Sequence, residues 1–195
     1  MPEPVYRAVL LFGAPGVGKG TQGQRLGRLA HFVHVSTGEM FRSLGNGPVG
    51  KEARTYFDRG VLVPDDLTIR VFRERVHALV AEHLFDPARD TLILDGIPRN
   101  PTQARILDGD IKVVKIIHFA ASDENAMVAR ILKRALIEGR KDDANEEIIR
   151  KRFDIYRRET SPVLESYPRE LILEIDALGT PDEVTATIER GLLNT

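Results

Sequence analysis

The sequence predicts a three-layer α/β/α protein built on a central parallel sheet of about five strands. Three observations indicate this class. Short apolar runs of strand-forming residues alternate along the chain with charged segments of helical periodicity. A glycine-rich turn with a lysine follows the first run directly and precedes a helical segment, as in a phosphate loop (P-loop). The length of 195 residues, 42% of them hydrophobic, is enough for one well-cored domain.

The strand candidates are short runs rich in apolar and β-branched side chains. The first run spans residues 5–12 (VYRAVLLF) and ends at Gly13. The others cover residues 32–35, 91–94, 113–119 and 171–175. Runs of this kind between helical segments indicate parallel strands that are buried in a sheet.

Helical periodicity lies between the strands, as a parallel sheet requires, because its strands need crossover connections. The helical segments cover residues 21–30, 65–84, 125–137, 145–156 and 181–192. Interruptions fall at residues 45–48 (GNGP) and 138–140 (EGR), and the sequence contains no internal repeat. We therefore expect a single domain over residues 1–195 with two excursions from its core.

Composition and charge argue against several classes of protein. Lys and Arg number 28 against 29 Asp and Glu, a net charge of −1, whereas nucleic-acid-binding proteins usually carry a basic excess. No apolar stretch approaches the roughly 18 residues of a membrane span, and the N-terminus lacks signal-peptide features. We expect a cytoplasmic protein with no nucleic-acid or membrane partner. Because the sequence has no cysteine, disulfides and cysteine-ligated zinc are excluded.

The most specific motif is the phosphate loop at residues 13–21 (GAPGVGKGT). Its glycines let successive backbone N–H groups curl around an anion, the following helix N-terminus adds partial positive charge, and Lys19 adds a full charge. The strict pattern has Ser or Thr directly after the lysine, but this chain has Gly20 there and Thr21 one residue later. Thr21 could contact a phosphate or Mg²⁺, and the pattern alone does not make it a metal ligand.

Asp95 and Arg99 follow the 91–94 strand in the segment DGIPR. Open α/β sheets bind ligands at the carboxyl ends of their strands, so Asp95 is a candidate for holding Mg²⁺ through water. The turn would direct Arg99 into the same crevice. The alternative is an ordinary turn at a strand end, and the phosphate loop favours the functional interpretation.

Four later arginines are candidates for stabilising charge during transfer of a phosphoryl group. They are Arg130, Arg134, Arg140 and Arg152. Arg130 and Arg134 are four residues apart and share one helix face. Taken alone, each arginine is better explained as a solvated surface charge, and only a comparison with a known family favours a role in phosphoryl transfer.

Several segments together resemble the adenylate kinases, members of the nucleoside monophosphate kinase family. The resemblance extends from Ala8 to about Leu192. The segments that carry it are GAPGVGKGTQ (13–22), STGEMFR (36–42), GVLVPDD (60–66), LDGIPRNPTQA (94–104), RILKRALIEGRKDD (130–143) and RKRFDIYRRETSPVLESY (150–167). The family pattern itself has GKGT, which explains Gly20.

The resemblance implies a reaction, MgATP + AMP ⇌ 2 ADP, and residues for each substrate. The ATP site would comprise Gly16, Val17, Gly18, Lys19, Gly20, Thr21, Arg130, Arg134 and Gly179. The AMP site would comprise Thr37, Arg42, Val61, Leu62, Val63, Gly96, Ile97, Pro98, Arg99, Gln103, Arg140 and Arg152. The residues that act on the transferring group would be Lys19, Arg99, Arg134, Arg140 and Arg152.

The resemblance also implies finer roles. Arg42 and Arg99 would bind the AMP phosphate, Gln103 would read adenine, and Asp95 would hold Mg²⁺ through its waters. Residues 36–65 would form a helical monophosphate-binding arm and residues 134–144 a short lid, with the core at 1–35, 66–133 and 145–195. A lid this short has no structural zinc. The family is commonly monomeric.

Departures from the family pattern leave alternatives open. This chain has Glu39 where the family usually has Asp, Ile97 where it usually has an aromatic residue, and Asn100 where it commonly has Thr. PRN also occurs in UMP/CMP kinases, so a pyrimidine monophosphate kinase is the first alternative, although Thr37 and Gln103 favour AMP. A nucleotide-dependent switch is the second alternative, which a second anion site at Arg42 and Arg99 argues against.

Some polar residues suggest metal sites but have simpler interpretations. None of the five histidines has the spacing of a metal-ligand motif, so core or surface roles are expected for them. Asp142 and Asp143 could be a metal pair, a solvated turn or, as in the family, an anchor for neighbouring arginines.

Overall fold

A computed structural model describes residues 5–120, 123–139 and 143–193. Five strands form the sheet: β1 Tyr6–Gly13, β2 Phe32–Ser36, β3 Thr91–Asp95, β4 Ile111–Ala120 and β5 Ile172–Asp176. The α-helices are α1 Lys19–Leu26, α2 Thr37–Ser43, α3 Pro48–Phe57, α4 Asp65–Ala81, α5 Pro101–Leu107, α6 Glu124–Glu138, α7 Glu146–Ile155 and α8 Pro181–Leu193. A π-helical turn at Tyr156–Thr160 and two 3₁₀ turns at Ser161–Ser166 and Arg169–Leu171 lie between α7 and β5.

The sheet is parallel throughout and has the strand order β2-β3-β1-β4-β5. The predicted α/β class with a five-stranded parallel sheet is therefore confirmed. The central strand β1 pairs with β3 on one side and with β4 on the other, and Leu11 lies opposite Asp95. The crossover after β1 runs to β2, and the crossover after β3 runs to β4 on the other side. A crevice at the carboxyl ends of β1 and β3 is the expected ligand position in such a sheet.

Both faces of the sheet are buried, which accounts for the near-continuous apolar sequence of β1. Leu10 and Phe12 point into one hydrophobic cluster, which α4 and α5 complete. Val9 and Leu11 point into a second cluster, which α6, α7 and α8 complete. The two clusters separate three layers, so the strands are fixed on both sides and hold the loops at their carboxyl ends in place.

Three helices, α2, α3 and α5, do not stand out individually in the sequence pattern. α2 and α5 have seven residues each and α3 has ten, which is too short for a clear helical period. Local chemistry nevertheless explains where α5 begins. The side chain of Asn100 accepts a hydrogen bond from the backbone N of Gln103 at 2.8 Å, and Pro101 occupies the first turn.

Residues 36–65, expected to be a helical arm, contain α2 and α3 and the extended segment that leads into α4. The expected lid at 134–144 covers the end of α6, where Gly139 adopts a left-handed φ of 64°. Arg140 lies outside the described residues. Among the helices that the structure describes, none combines the length and apolar character that a membrane crossing needs.

Candidate active site

A cleft of about 630 Å³ opens at the carboxyl ends of β1 and β3. It brings together nearly all the residues that the sequence singled out. These are Gly16, Val17, Gly18, Lys19, Gly20, Thr21, Thr37, Arg42, Val61, Leu62, Val63, Asp95, Gly96, Pro98, Arg99, Gln103, Arg130, Arg134, Arg152 and Gly179. Ile97 is the exception among the described candidates, because its side chain is packed in the core.

The phosphate loop has a backbone that only glycine adopts readily. Gly16 and Gly18 have φ values of +78° and +106°, in the region that other residues avoid. A Cβ on Gly16 would lie 2.8 Å from Ile131 Cγ1 and 2.9 Å from the Met127 carbonyl oxygen. The loop is therefore pressed against α6 while the N-terminus of α1, starting at Lys19, faces the cleft. This is an anion-binding arrangement.

Lys19 supplies a partly buried positive charge at the loop. Its Nζ donates hydrogen bonds to the carbonyl oxygens of Gly13 at 2.6 Å and Ala14 at 3.0 Å. Burial lowers the pKa of Lys19 from 10.5 to about 8; Asp95 opposes this shift, and the positive charges of three arginines add to it. An anion bound beside Lys19 would offset both the burial and the repulsion.

The lowered pKa of Lys19 predicts a pH-dependent affinity for ATP. Affinity should fall as the pH rises above about 8, because deprotonated Lys19 loses its attraction for phosphate. Below that pH the lysine is already charged, and affinity should level off. Calorimetric titrations at several pH values measure this, and binding near pH 8 should be accompanied by proton uptake. Lys19→Met should abolish the proton uptake; an unchanged uptake in this variant would assign it to another group.

Arg99 marks a second cationic region of the cleft. Its Nε donates to the Gly96 carbonyl oxygen at 2.9 Å. Burial lowers the pKa of Arg99, the charges of Arg152 and Arg42 lower it further, and Asp95 opposes them. The guanidinium groups of Arg42 and Arg152 thus lie close enough to repel that of Arg99. A dianionic phosphate placed among them would relieve that repulsion and could be held by two-pronged hydrogen bonds.

In the turn after β3, the backbone of Gly96 lies close to the side chains of Thr37 and Arg99 and helps to position Arg99. Gly96 has a φ of +82°, and a Cβ there would lie 2.5 Å from Thr37 Oγ1 and 2.8 Å from Arg99 Nη2. Thr37 Oγ1 donates to the Gly96 carbonyl oxygen at 3.0 Å. Any larger residue at this position would displace both side chains, so glycine is required at this point of the cleft wall.

Asp143 joins the two arginines that come from different helices. This carboxylate is fully buried and accepts hydrogen bonds from Arg134 on α6 and Arg152 on α7. Burial alone would raise the pKa of Asp143, but the charges of Arg152 and Arg134 outweigh burial and the pKa is lowered. Of the three interpretations left open for this residue, the anchor for arginines is the one that the structure shows. Asp142 lies outside the described residues.

Gln103 lines the same cleft, and hydrogen bonds at both ends of its side-chain amide hold it in place. Its Oε1 accepts from the backbone N of Arg99, and its Nε2 donates to Asp65 Oδ1, both at 2.8 Å. Asn100 Nδ2 donates to the same Asp65 oxygen at 2.8 Å. Sequence reasoning missed Asp65, although it lies in the GVLVPDD segment that contributes to the resemblance. Its position as the first residue of α4 gave no indication of a partner 38 residues away.

Two further residues line the cleft that sequence reasoning did not single out, although both lie in the 150–167 segment that contributes to the resemblance. Thr160 Oγ1 donates to the Arg99 carbonyl oxygen at 2.8 Å, so the π-helical turn helps to hold the Arg99 backbone. Tyr156 opens the same turn, and burial raises its pKa to about 12. Tyr156 therefore stays neutral and adds no negative charge to a cleft that collects cations.

The site fits a Mg²⁺ ion that arrives with a nucleotide. Asp95 Oδ2 lies 3.6 Å from the position that a Cβ on Gly20 would take, so the carboxylate faces the start of α1 and the phosphate loop. Within the described ranges, no cluster of three or more His, Asp or Glu side chains could hold a metal. One carboxylate beside phosphate oxygens and water is the environment that Mg²⁺ usually has in such sites.

Comparisons with known proteins agree with this geometry. The adenylate kinase family model matches residues 11–172. The adenylate kinase of Thermobifida fusca is 43% identical over 184 residues, which cover 91% of this chain and 93% of that protein. The adenylate kinase of Thermus thermophilus is 38% identical over 196 residues, covering 96% and 98% respectively. The adenylate kinase of a Nocardioides species is 38% identical over 191 residues, covering 94% and 96%. A family match over most of the chain, joined to the phosphate loop and the convergent arginines, shows that the chain belongs to the adenylate kinase family.

Proposed function

We propose that the protein transfers the γ-phosphoryl group of ATP reversibly to AMP, with Mg²⁺, and forms two ADP. The observation that carries the proposal is that two cationic regions share one cleft. Lys19 marks the first, at the phosphate loop, and Arg42 with Arg99 marks the second. The charge of Arg152 acts on both Lys19 and Arg99, so the two regions are electrostatically continuous.

In this proposal the phosphate loop binds ATP and the second region binds the acceptor. Backbone N–H groups of residues 16–21 and Lys19 hold the ATP phosphates, while Arg42 and Arg99 hold the AMP phosphate. Phosphoryl transfer needs an in-line approach and charge neutralisation more than covalent help, so no general base is required. The acceptor is already an anion. Arg134 and Arg152 then stabilise the charge that spreads over the transferring oxygens.

Asp95 would hold the Mg²⁺ ion through water, next to the ATP phosphates. When bound, Mg²⁺ neutralises charge on the phosphate oxygens. Arg134 adds a donor of its own: its Nε is buried and has no hydrogen-bond partner among the described residues. A phosphate reached by this guanidinium would satisfy a group whose desolvation is otherwise uncompensated.

Selectivity for the two bases would rest on two separate sets of cleft residues. Gln103 and Thr37 support adenine over a pyrimidine in the acceptor site, while Arg130 and Gly179 would contact the adenine of ATP. The arm at 36–65 and the lid at 134–144, which includes Arg140, would close over the substrates and exclude water from the transferring group. We also infer a cytoplasmic monomer that needs only ATP, AMP and Mg²⁺.

An assay with purified protein tests the reaction. ATP, Mg²⁺ and one monophosphate at a time, AMP, CMP or UMP, are supplied, and nucleoside diphosphates are resolved and quantified. The proposal predicts rapid conversion of AMP to ADP and slower conversion of the pyrimidine nucleotides. Faster conversion of CMP or UMP would instead indicate a pyrimidine kinase. Tight ATP binding without transfer to any acceptor would overturn the proposal and favour a nucleotide-dependent switch.

A further inference from the structure

The side-chain amide of Gln103 is held at both of its ends by groups of fixed hydrogen-bonding character. Arg99 contributes a backbone N–H, which can only donate, to Gln103 Oε1 at 2.8 Å. Asp65 contributes a carboxylate oxygen, which as an ionised group can only accept, to Gln103 Nε2 at 2.8 Å. The two partners together determine which end of the amide is oxygen and which is nitrogen.

Rotation of this amide by 180° would break both hydrogen bonds. Gln103 Oε1 would then face the Asp65 carboxylate, and Nε2 would face the Arg99 N–H, so two acceptors and two donors would oppose each other. Gln103 is only 1% exposed, and water could not relieve these contacts. The Asp65 carboxylate is itself steadied by Asn100 Nδ2, which donates to the same oxygen at 2.8 Å.

The fixed amide still has one donor and one acceptor to spare. An amide nitrogen carries two N–H groups and an amide oxygen two lone pairs, and Asp65 and Arg99 use one of each. Gln103 lines the cleft in the acceptor region. A base whose phosphate is anchored near Arg99 therefore meets a donor and an acceptor in an order that cannot be reversed.

We propose that Asp65 is a specificity-determining residue that fixes the Gln103 amide, so that the acceptor site takes bases with an exocyclic amino group beside an unprotonated ring nitrogen. This proposal rests on the proposed function. Adenine and cytosine have that donor and acceptor order. Hypoxanthine and uracil have an oxo group beside a protonated ring nitrogen, the reverse order. A freely rotating glutamine would match either order, whereas the fixed amide leaves the second class with opposed donors and acceptors.

Two pairs of acceptors isolate this effect from size. AMP and IMP have almost the same shape, as do CMP and UMP, and each pair differs in donor and acceptor order. In the wild-type protein kcat/KM should be higher for AMP than for IMP and higher for CMP than for UMP. Equal or reversed preferences within these pairs would overturn the proposal before any variant is made.

The variant Asp65→Asn tests the residue directly. The amide introduced by this substitution could donate its own N–H to a rotated Gln103, so one of the two opposed contacts would disappear. We expect the AMP-to-IMP ratio of kcat/KM to fall by about tenfold, the worth of roughly one hydrogen bond, mainly through a lower KM for IMP. Asp66→Asn is the matched control. Asp66 is the exposed neighbour in the same first turn of α4, so the charge change is identical and the ratio should stay at the wild-type value.

Asp65→Ala provides a second test, since it removes the acceptor without offering a donor, and it should also lower the ratio. Calorimetric binding of ATP and thermal unfolding show whether each variant is folded. Wild-type ratios in folded Asp65→Asn and Asp65→Ala would overturn the role of Asp65 and leave the kinase function standing. Absence of diphosphate from every monophosphate in the wild-type protein would overturn the function itself, so the two failures are distinguishable.

Discussion

Replacing Lys19 with Met should reduce kcat by about a hundredfold to a thousandfold, the usual effect of removing one group that stabilises transition-state charge. Lys19 lies at the phosphate loop, and Asp95, Arg99, Arg134 and Arg152 shift its pKa, so it is electrostatically coupled to the arginines that we propose act on the transferring group. Met has a similar length and keeps the local packing. The substitution should therefore lower turnover and leave the packing around residue 19 intact.

The fold should tolerate this change. Burial lowers the pKa of Lys19, which means that the folded state disfavours the charged amine, and Met removes that cost. Against this stands the loss of two hydrogen bonds to the carbonyl oxygens of Gly13 and Ala14. We expect the free energy of unfolding to change by no more than about 1 kcal/mol, because these effects oppose each other.

Steady-state kinetics and chemical unfolding, measured side by side, separate the two effects. Lys112→Met is the control, since Lys112 is exposed near the start of β4, and the start of this parallel strand lies at the end of the sheet away from the cleft. Turnover of that variant should match the wild type. If Lys19→Met kept wild-type turnover, Lys19 would have no part in the transfer; if it lost turnover only by unfolding, its role would be structural.

The sequence predicts the layered sheet because the apolar runs and the helical segments alternate cleanly. It also predicts the loop, since the motif at residues 13–21 requires a definite backbone. The short helices α2, α3 and α5 escape prediction as separate elements because a run of seven to ten residues shows little helical period. Pattern arguments work where one physical requirement repeats along the chain.

Contacts between polar residues that are distant in the sequence could not be predicted, for a different reason. Asp65 and Gln103 are separated by 38 residues, and Thr160 and Arg99 by 61. Nothing local distinguishes Asp65 from its exposed neighbour Asp66, since both are acidic residues in the first turn of a helix. Their different roles depend on which side of α4 faces α5, and that is decided by packing. A single sequence carries no direct record of it.

Replacing Asp143 with Asn should affect both turnover and stability. Asp143 is the buried carboxylate that receives Arg134 and Arg152, whose side chains are 38% and 24% exposed. Breaking a fully buried ion pair costs roughly 3 to 5 kcal/mol, and the partial exposure of both arginines reduces this to about 2 kcal/mol. With their anchor weakened, the arginines lose a fixed position. We expect kcat to fall by about tenfold to a hundredfold, the scale of a misplaced catalytic group.

Asp154→Asn is the matched control for Asp143→Asn. Asp154 also pairs with an arginine, Arg157, but both side chains are on the surface, at 65% and 56% exposure. Exposed pairs contribute little, so this variant should retain wild-type stability and turnover. Chemical unfolding and kinetics on the three proteins give the comparison. Equal stability of Asp143→Asn and Asp154→Asn would contradict the anchoring role.

Two further measurements distinguish an electrostatic anchor from a packing defect at Asp143. The pKa of Asp143 is lowered in the folded protein from 3.8, so the unfolded chain binds its proton at a higher pH. The stabilisation is therefore complete above that value and is lost as the pH falls through the lower, folded pKa. Wild-type stability should decline over this acidic window more steeply than that of Asp143→Asn.

At neutral pH, ATP should raise the melting temperature of the Asp143→Asn variant more than that of the wild type, because the ATP phosphates replace the missing counterion for Arg134 and Arg152. A cavity or a strained side chain would lower stability by a similar amount across the acidic range, and ATP would then raise the melting temperatures of the variant and the wild type equally.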